Sequence, residues 1–382
     1  MNPALAAFAF GNFAVAAAAF TLPGILAPVA KGLNVSVIET GNLLTIYAAA
    51  YAIGSPLLTA LTTRLDRRVL LISGLVLVVA ANALTAIAET YSVAVVSRIF
   101  AACGAAIYTP VITYVVAMTS PPERRGRDLS IAFIGLSVAQ IVGIPIATWI
   151  GFALSWRAAF GGIAAMAAVA LVFVVVFAPK GVKGQSMSGA TWAALAQDWK
   201  LMLAVSVTAL QMAGQFVVYT YIGPLLTDSV GFDDTGITLA LIGFGVASIV
   251  GGLSGGWITD RVGSYAGLWI TLGSMAAGIA LLSPAHGSLP LTLIALAIWG
   301  VFGYAFTTPQ QTRLITVGAA APGMTLAFNS SLLYIGTAVG GAGGGIIISN
   351  VGYAWLGWGG GAFCVASIAA LWMSKTPSER LR

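Results

Sequence analysis

The chain has 382 residues and a formal net charge of +6, with 59% hydrophobic and only 7% charged residues. An ordinary soluble domain carries roughly 25% charged residues. So few charges cannot cover a water-exposed surface, which excludes a soluble globular protein and leaves a chain immersed in lipid. The 46 glycines agree, because Gly is commoner in transmembrane helices than in soluble ones.

In chain order, apolar runs long enough to span a bilayer, about 20 residues each, fall at 4–30, 37–61, 69–88, 92–118, 129–153, 158–178, 201–226, 235–257, 266–284, 289–309, 324–349 and 352–374. They are too long and too continuous for barrel strands. Lipid offers backbone groups no partner outside helices and closed barrels, so all twelve are predicted helices. The first has no Lys or Arg between Met1 and Phe20 and reads as a span, not a cleaved secretory signal. Cys103 and Cys364 fall inside spans, and with the single His286 they make neither a disulfide framework nor a metal site. No cofactor is expected.

Lys and Arg separate by side. One set of loops holds Arg64, Arg67, Arg68, Arg124, Arg125, Arg127, Lys180, Lys183, Lys200, Arg261, Arg313, Lys375, Arg380 and Arg382; the other holds Lys31 and Arg157. Basic short loops stay in the cytoplasm, so both termini are expected there. The same bias accounts for the net charge without a nucleic-acid partner. The longest cytoplasmic connection, 179–200, is rich in small and polar residues (Gly181, Gly184, Gln185, Ser186, Ser188, Gly189) and reads as a linker. The expected organisation is therefore an N-terminal six-helix bundle at 1–178, the linker at 179–200, and a C-terminal six-helix bundle at 201–382. Arg64-Leu65-Asp66-Arg67-Arg68 and Thr259-Asp260-Arg261-Val262-Gly263 recur about 196 residues apart. Known transporters built of two related six-span halves hold a cavity at the interface of the halves, where rocking can expose it to either side, and that arrangement is expected here by analogy.

Four stretches resemble the major facilitator superfamily, and within it the drug/proton antiporter group of bacterial sugar, nucleoside and multidrug exporters. They are Ser55 through Arg68; Arg98 with Gly104; Gly143-Ile144-Pro145 with Trp156-Arg157; and Phe216 through Leu226. The resemblance covers essentially the whole chain. It implies an all-α membrane protein of twelve helices in two pseudo-symmetric bundles, seated in the bacterial inner membrane. The implied activity is secondary export of a small organic molecule by alternating access, with protons as a candidate partner. It also implies that Arg64, Asp66, Arg67 and Arg68, echoed by Asp260 and Arg261, latch the halves on the cytoplasmic side. The chain departs from the group at Thr63, where an Asp is usual. It departs again at Ala16-Ala17-Ala18-Ala19, where related exporters often carry the carboxylate used for proton coupling.

An intramembrane charge is a functional-site candidate by default, and Arg98 is the clearest here. It either faces the cavity and reads an anionic group, or braces helices through carbonyls and polar residues such as Asn12. Glu39 is a candidate ion partner. Further substrate candidates share helix faces by spacing: Tyr47 and Tyr51; Gln211 and Gln215; Tyr304, Thr307 and Gln311; Ser330 and Tyr334, with Asn329 adjacent; and Gln140 near the Gly-Pro motif. Buried amides and hydroxyls in lipid require partners, so these faces are expected to point inward, as substrate ligands or as helix–helix contacts. Pro145 is expected to bend span five beside Gly143. The glycines of span eight (Gly251, Gly252, Gly255, Gly256) and span eleven (Gly336, Gly340, Gly341, Gly343, Gly344, Gly345) let backbones approach closely. No phosphate-binding Gly-rich Lys-Ser/Thr loop occurs, which argues against direct ATP hydrolysis. Neither paired mid-membrane acids nor metal ligands support an enzyme, and no loop is long enough for a receptor's soluble domain. The expected partners are a small molecule and membrane lipids, with the chain a monomer. An anion-selective or ion-independent carrier is the alternative.

Overall fold

The structure, a computed structural model, describes residues 2–62, 64–121, 123–182, 197–319 and 322–376. Thr63, the central linker residues Lys183 to Ser188 and Gly189, and the tail residues Arg380 and Arg382 lie outside the described residues. Among the described residues, eleven helices are long and apolar enough to cross a bilayer. One of them, Asp234–Leu281, has 48 residues, a length of about 72 Å at 1.5 Å per residue. That is more than twice the ~30 Å hydrocarbon core. It is interrupted at Gly263, whose φ of 80° and ψ of 164° fall where essentially only Gly goes. The helix therefore contains spans eight and nine, which makes twelve spans among the described residues.

The chain divides into two compact units, Met1–Met187 and Ser188–Arg382, with six spans in each. In the first unit, span one is Pro3–Phe20 followed by a tight turn at Leu22–Ile25 and a short helix Leu26–Leu33. The apolar run 4–30 predicts one continuous helix, and the structure divides it. Pro23, in that turn, lacks the N–H a continuing helix would need. Span two, Val37–Leu61, opens on a reciprocal cap. Ser36 Oγ accepts from the Glu39 N–H at 3.1 Å, while the Glu39 carboxylate accepts from the Ser36 N–H at 2.8 Å. Glu39 is exposed and committed to that cap, so it is not the partner of Arg98. Spans three (Arg67–Ala86), four (Tyr91–Thr119) and six (Trp156–Phe177) are single helices. Spans three and four close on the pair Gly74 and Gly104, where a Cβ on either would come within 2.9 Å of the other's carbonyl oxygen.

Span five runs Arg125–Val138, a wide π turn Ala139–Gly143, then Ile144–Ala153. The Ile144 N–H reaches back to the Ala139 carbonyl. Such a wide turn is a recognised origin of helix bending. It sits immediately before Pro145, where the sequence places the bend.

The second unit repeats these devices. Span seven, Trp199–Tyr219, breaks at Thr220 and Tyr221, just before the helix Ile222–Val230 that carries the Gly223-Pro224 pair in its first turn. Span ten is Leu289–Ala305 then Thr307–Val317, span eleven Pro322–Val351 and span twelve Leu356–Met373. Gly336, Gly340 and Gly344 lie one turn apart on span eleven, against the carbonyls of Ala209, Ala213 and Val217 on span seven. Gly251 and Gly255 meet the carbonyls of Val301 and Ala305 in the same way. Gly252 and Gly256, one residue further along, face open space. The glycine runs are thus divided by helix face into packing seams and open positions.

Candidate functional site: two buried polar clusters

In the first unit, Arg98 is 2% exposed. Its Nη1 donates to the Ala18 carbonyl at 3.0 Å, and its Nη2 donates to Asn82 Oδ1 at 3.2 Å and Thr85 Oγ1 at 2.6 Å. The guanidinium stacks 4.8 Å from the Phe160 ring centre. Thr85 Oγ1 lies 2.8 Å from Ser97 Oγ. Arg98 therefore ties span four to spans one, three and six, and its Nε is left without a partner. Each carboxylate in the described chain lies at a helix end or in a loop, so neutral dipoles and one aromatic face hold this cation. Asn12 belongs elsewhere: its Nδ2 donates to the Ala132 carbonyl at 2.8 Å, joining span one to span five. Tyr47 and Tyr51 are buried; Tyr47 lies within electrostatic reach of Arg98, and the Tyr51 hydroxyl is hydrogen-bonded with Thr109. Gln140 is half-buried within the π turn of span five, and Gly143 and Pro145 are buried. The Phe13 ring fills the space beside Gly143.

The basic loop is engaged within its own unit. Asp66 caps span three, with Oδ1 accepting from the Arg68 N–H at 2.8 Å, and its Oδ2 accepts from the Gly181 N–H at 2.9 Å. The Arg67 N–H donates to the Val182 carbonyl at 2.9 Å, and Arg68 Nη2 donates to the Val175 carbonyl. Arg67 is buried with its guanidinium over Tyr114. Arg64 is exposed. Of the echo in the second unit, Asp260 and Arg261 are both exposed, and Arg261 lies over Trp257 at 4.5 Å.

In the second unit, Gln211 and Gln215 are buried. Gln211 Nε2 donates to Gln215 Oε1 at 3.3 Å and meets Met275 Sδ at 3.2 Å. The Tyr304 hydroxyl is hydrogen-bonded with Gln215 and Ser248, so the candidates on spans seven and ten do come together. Aromatic rings surround them. Phe244 lies 4.7 Å from Trp299, 5.7 Å from Tyr219 and 6.3 Å from Tyr304, and Phe216 lies 5.6 Å from Tyr219. Thr307, Gln311 and Ser330 are exposed instead, and the Ser330 hydroxyl bonds its own helix at the Leu326 carbonyl. Asn329 is buried and Tyr334 half-buried. Arg313, read from sequence as a loop residue, lies in the helix Thr307–Val317; it is 1% exposed and donates from Nη2 to the Ser374 carbonyl at 2.8 Å.

Sequence reasoning missed Asn82, Thr85 and Ser97 around Arg98. It also missed Ser248, Met275 and Trp299 around the glutamines, and Gln310, which donates to the Ala204 carbonyl and Thr208 Oγ1 at 2.9 Å each. Asn82 and Thr85 are three apart on one apolar helix, and that spacing was the available signal.

Twelve spans in two six-helix units, with carbonyl-seated glycine seams and buried polar clusters, define a multi-pass α-helical membrane protein. The family model described as the Major Facilitator Superfamily matches residues 8–322 and 207–382, and the chain belongs to that family. It is 28% identical to the inner membrane transport protein YdhP of Escherichia coli K12, covering 93% of this chain and 92% of that one. It is 29% identical to a chloramphenicol resistance protein of Streptomyces lividans over 84% of this chain and 83% of that one, and 27% identical to a probable sugar efflux transporter of Mannheimia succiniciproducens over 94% and 90%. A crystal structure of the peptide transporter POT in complex with sulfate shares the fold, with a TM-score of 0.80 at 14% identity over 97% of this chain and 94% of that one.

Proposed function

We propose that this protein exports a small, uncharged organic molecule across the cytoplasmic membrane by alternating access, as a monomer with both termini in the cytoplasm. The near-full-length similarity to a drug-resistance protein and to a probable efflux transporter supports export. The observation that carries the reading of the cargo as uncharged is the second-unit cluster, where amides, hydroxyls and aromatic rings gather without an ionised side chain. The substrate groups in this reading are Gln211, Gln215 and Tyr304 within the second unit; the first unit's own candidates are Tyr47 and Tyr51. Asp66, Arg67 and Arg68 serve gating by holding the end of span six, and Gly143 and Pro145 serve it by bending span five. Arg98 is assigned to bracing, because both Nη groups are already bonded.

Proton antiport is the group's expectation, and one observation favours an ion-independent facilitator instead. At Ala18, Arg98 bonds a backbone carbonyl where related exporters often place a carboxylate, and a methyl group cannot carry a proton. Chloramphenicol, a neutral nitroaromatic amide, is the first compound to test. Cells lacking their own exporters, loaded with it and moved to drug-free medium, should lose it faster when they express this chain than control cells do, and collapse of the proton gradient should leave the difference standing. Equal rates of loss of chloramphenicol and of a panel of neutral aromatic compounds from both strains would remove the export reading. A difference abolished by collapse would restore proton coupling.

A further inference from the structure

We propose that a groove between the ends of spans one and six holds an acyl chain of a negatively charged phospholipid, drawn from the leaflet that borders the basic loops. The inference is independent of what the protein carries. The groove has a volume of about 300 Å³ and is lined by Pro3, Ala6, Ala7 and Phe10 of span one and by Phe173 and Phe177 of span six. None of these side chains bears a polar atom, so only an apolar occupant loses nothing by entering. The stretch from Pro3 to Phe10 advances roughly 10 Å along its helix, and small side chains at Pro3, Ala6 and Ala7 leave that length open. Phe10 packs edge-on to Phe173 at 6.1 Å, and Phe173 stacks on Phe177 at 6.3 Å. These three rings form one wall. Val169, Val172 and Val176 of span six are exposed beside it, so this face borders lipid and the groove opens onto hydrocarbon. A void there forfeits dispersion contacts that a lipid chain restores.

Charge selects which lipid. Arg68 Nη2 donates to the Val175 carbonyl. The helix cannot satisfy that carbonyl itself, because the residue four places on is Pro179, which has no N–H. A guanidinium is thereby pinned at the end of span six, two residues from Phe173 and from Phe177. Lys180 is exposed and follows Phe177 by three residues. Among the described residues no carboxylate forms an ion pair with either cation. Asp66 accepts from the N–H groups of Arg68 and Gly181, so its two oxygens are already engaged with backbone. Basic groups at the membrane surface attract anionic headgroups, and a lysine stem is flexible enough to reach headgroup level. The groove takes the tail and the two cations take the phosphate.

The test uses the full chain in phosphatidylcholine nanodiscs that contain a minor fraction of phosphatidylglycerol with a diazirine on one acyl chain. Illumination crosslinks the chain to whatever lies against it, and mass spectrometry maps the sites. Labelling of residues 3–10 and 173–177 should exceed that of Val365 and Trp372, exposed apolar residues of span twelve, by at least about fivefold. The same photolabel on phosphatidylcholine should label the groove about fivefold less, the effect of one interfacial cation. Lys180→Gln should bring the two lipids closer together. Ala6→Trp, which fills the groove, should cut its labelling at least about fivefold, and Ala6→Leu serves if that variant fails to fold. Labelling no greater than on span twelve, equal labelling by the two lipids, or labelling unaltered in a folded Ala6 variant overturns the proposal. Excess soluble glycerol 3-phosphate should not compete; if it abolishes the preference for phosphatidylglycerol, the cations form a site for free phosphate and the lipid assignment is wrong.

Discussion

Gly255 and Gly256 are consecutive residues of span eight with opposite surroundings, and they allow the helix packing to be tested with one chemical change. A Cβ on Gly255 would lie 2.5 Å from the Ala305 carbonyl oxygen and 3.2 Å from the carbon behind it, whereas a Cβ on Gly256 would meet nothing within 4 Å. The first is about 0.9 Å short of ordinary contact, and the obstacle is backbone, so span ten itself would have to move. Forcing a methyl into a closed seam costs about 1–3 kcal/mol. Replacing Gly by Ala in a helix contributes roughly 0.8–1.0 kcal/mol of propensity, and this gain is common to both variants. Gly256→Ala should therefore equal or exceed the wild type in stability. Gly255→Ala should fall below Gly256→Ala by about 1–3 kcal/mol, roughly 5- to 150-fold in the folded-to-unfolded ratio. Reversible unfolding in mixed detergent micelles, followed by far-ultraviolet circular dichroism, reads the difference directly. If Gly255→Ala is as stable as Gly256→Ala, the seam between spans eight and ten is not in contact and the packing argument fails.

The Arg98 cluster gives a less intuitive prediction. Arg98→Met loses three hydrogen bonds, averaging about 0.6 kcal/mol each between membrane helices, and a ring contact of about 2 kcal/mol. It also relieves the burial of a charge, which costs about 2.5–3.5 kcal/mol at mid-helix. Its stability should stay within about 2 kcal/mol of wild type, while Asn82→Ala with Thr85→Ala, which strands the charge, should be the less stable of the two; the opposite order in the same unfolding assay contradicts the bracing role. Asp66→Ala removes a helix cap, costing about 0.5–2 kcal/mol, together with the acceptor for the Gly181 N–H. Trypsin should then cut at Lys180 faster in oriented vesicles, and an unchanged rate would mean that Asp66 does not hold that segment. Gly263→Ala forces a side chain into a backbone region reserved for glycine, at about 1–3 kcal/mol, and should lower the melting temperature; no change would place the break between spans eight and nine elsewhere.

Twelve spans were legible because lipid imposes one rule on every element: long apolar runs must be helices. The breaks were less legible. Pro23-Gly24 and Gly223-Pro224 stand in the sequence, yet apolar neighbours carry the hydropathy across both, so spans one and seven read as unbroken. Arg98 stood out because an ionisable residue in an apolar run is rare. Its partners Asn82 and Thr85 did not, since they depend on how span three is rotated against span four. The glycine runs announced close packing, but which glycines touch is a matter of helix phase. Gly255 seats on a carbonyl and Gly256 faces outward. In the second unit, spacing found Gln211, Gln215 and Tyr304. Trp299 was passed over as one more aromatic residue, because an unpaired indole N–H is a property of its surroundings. Thr307 shared a predicted face with Tyr304, but it is exposed where Tyr304 is bonded to Gln215 and Ser248, and exposure cannot be read from spacing.

The most direct measurement is flux through the purified protein. Proteoliposomes preloaded with unlabelled chloramphenicol, or with 4-nitrobenzyl alcohol, should show saturable counterflow of the same labelled compound at symmetric pH, above the leak of protein-free liposomes. A protein-dependent rate for at least one of the two is what the account predicts. Uptake identical to empty liposomes for both, from protein that is folded and membrane-inserted, would contradict it.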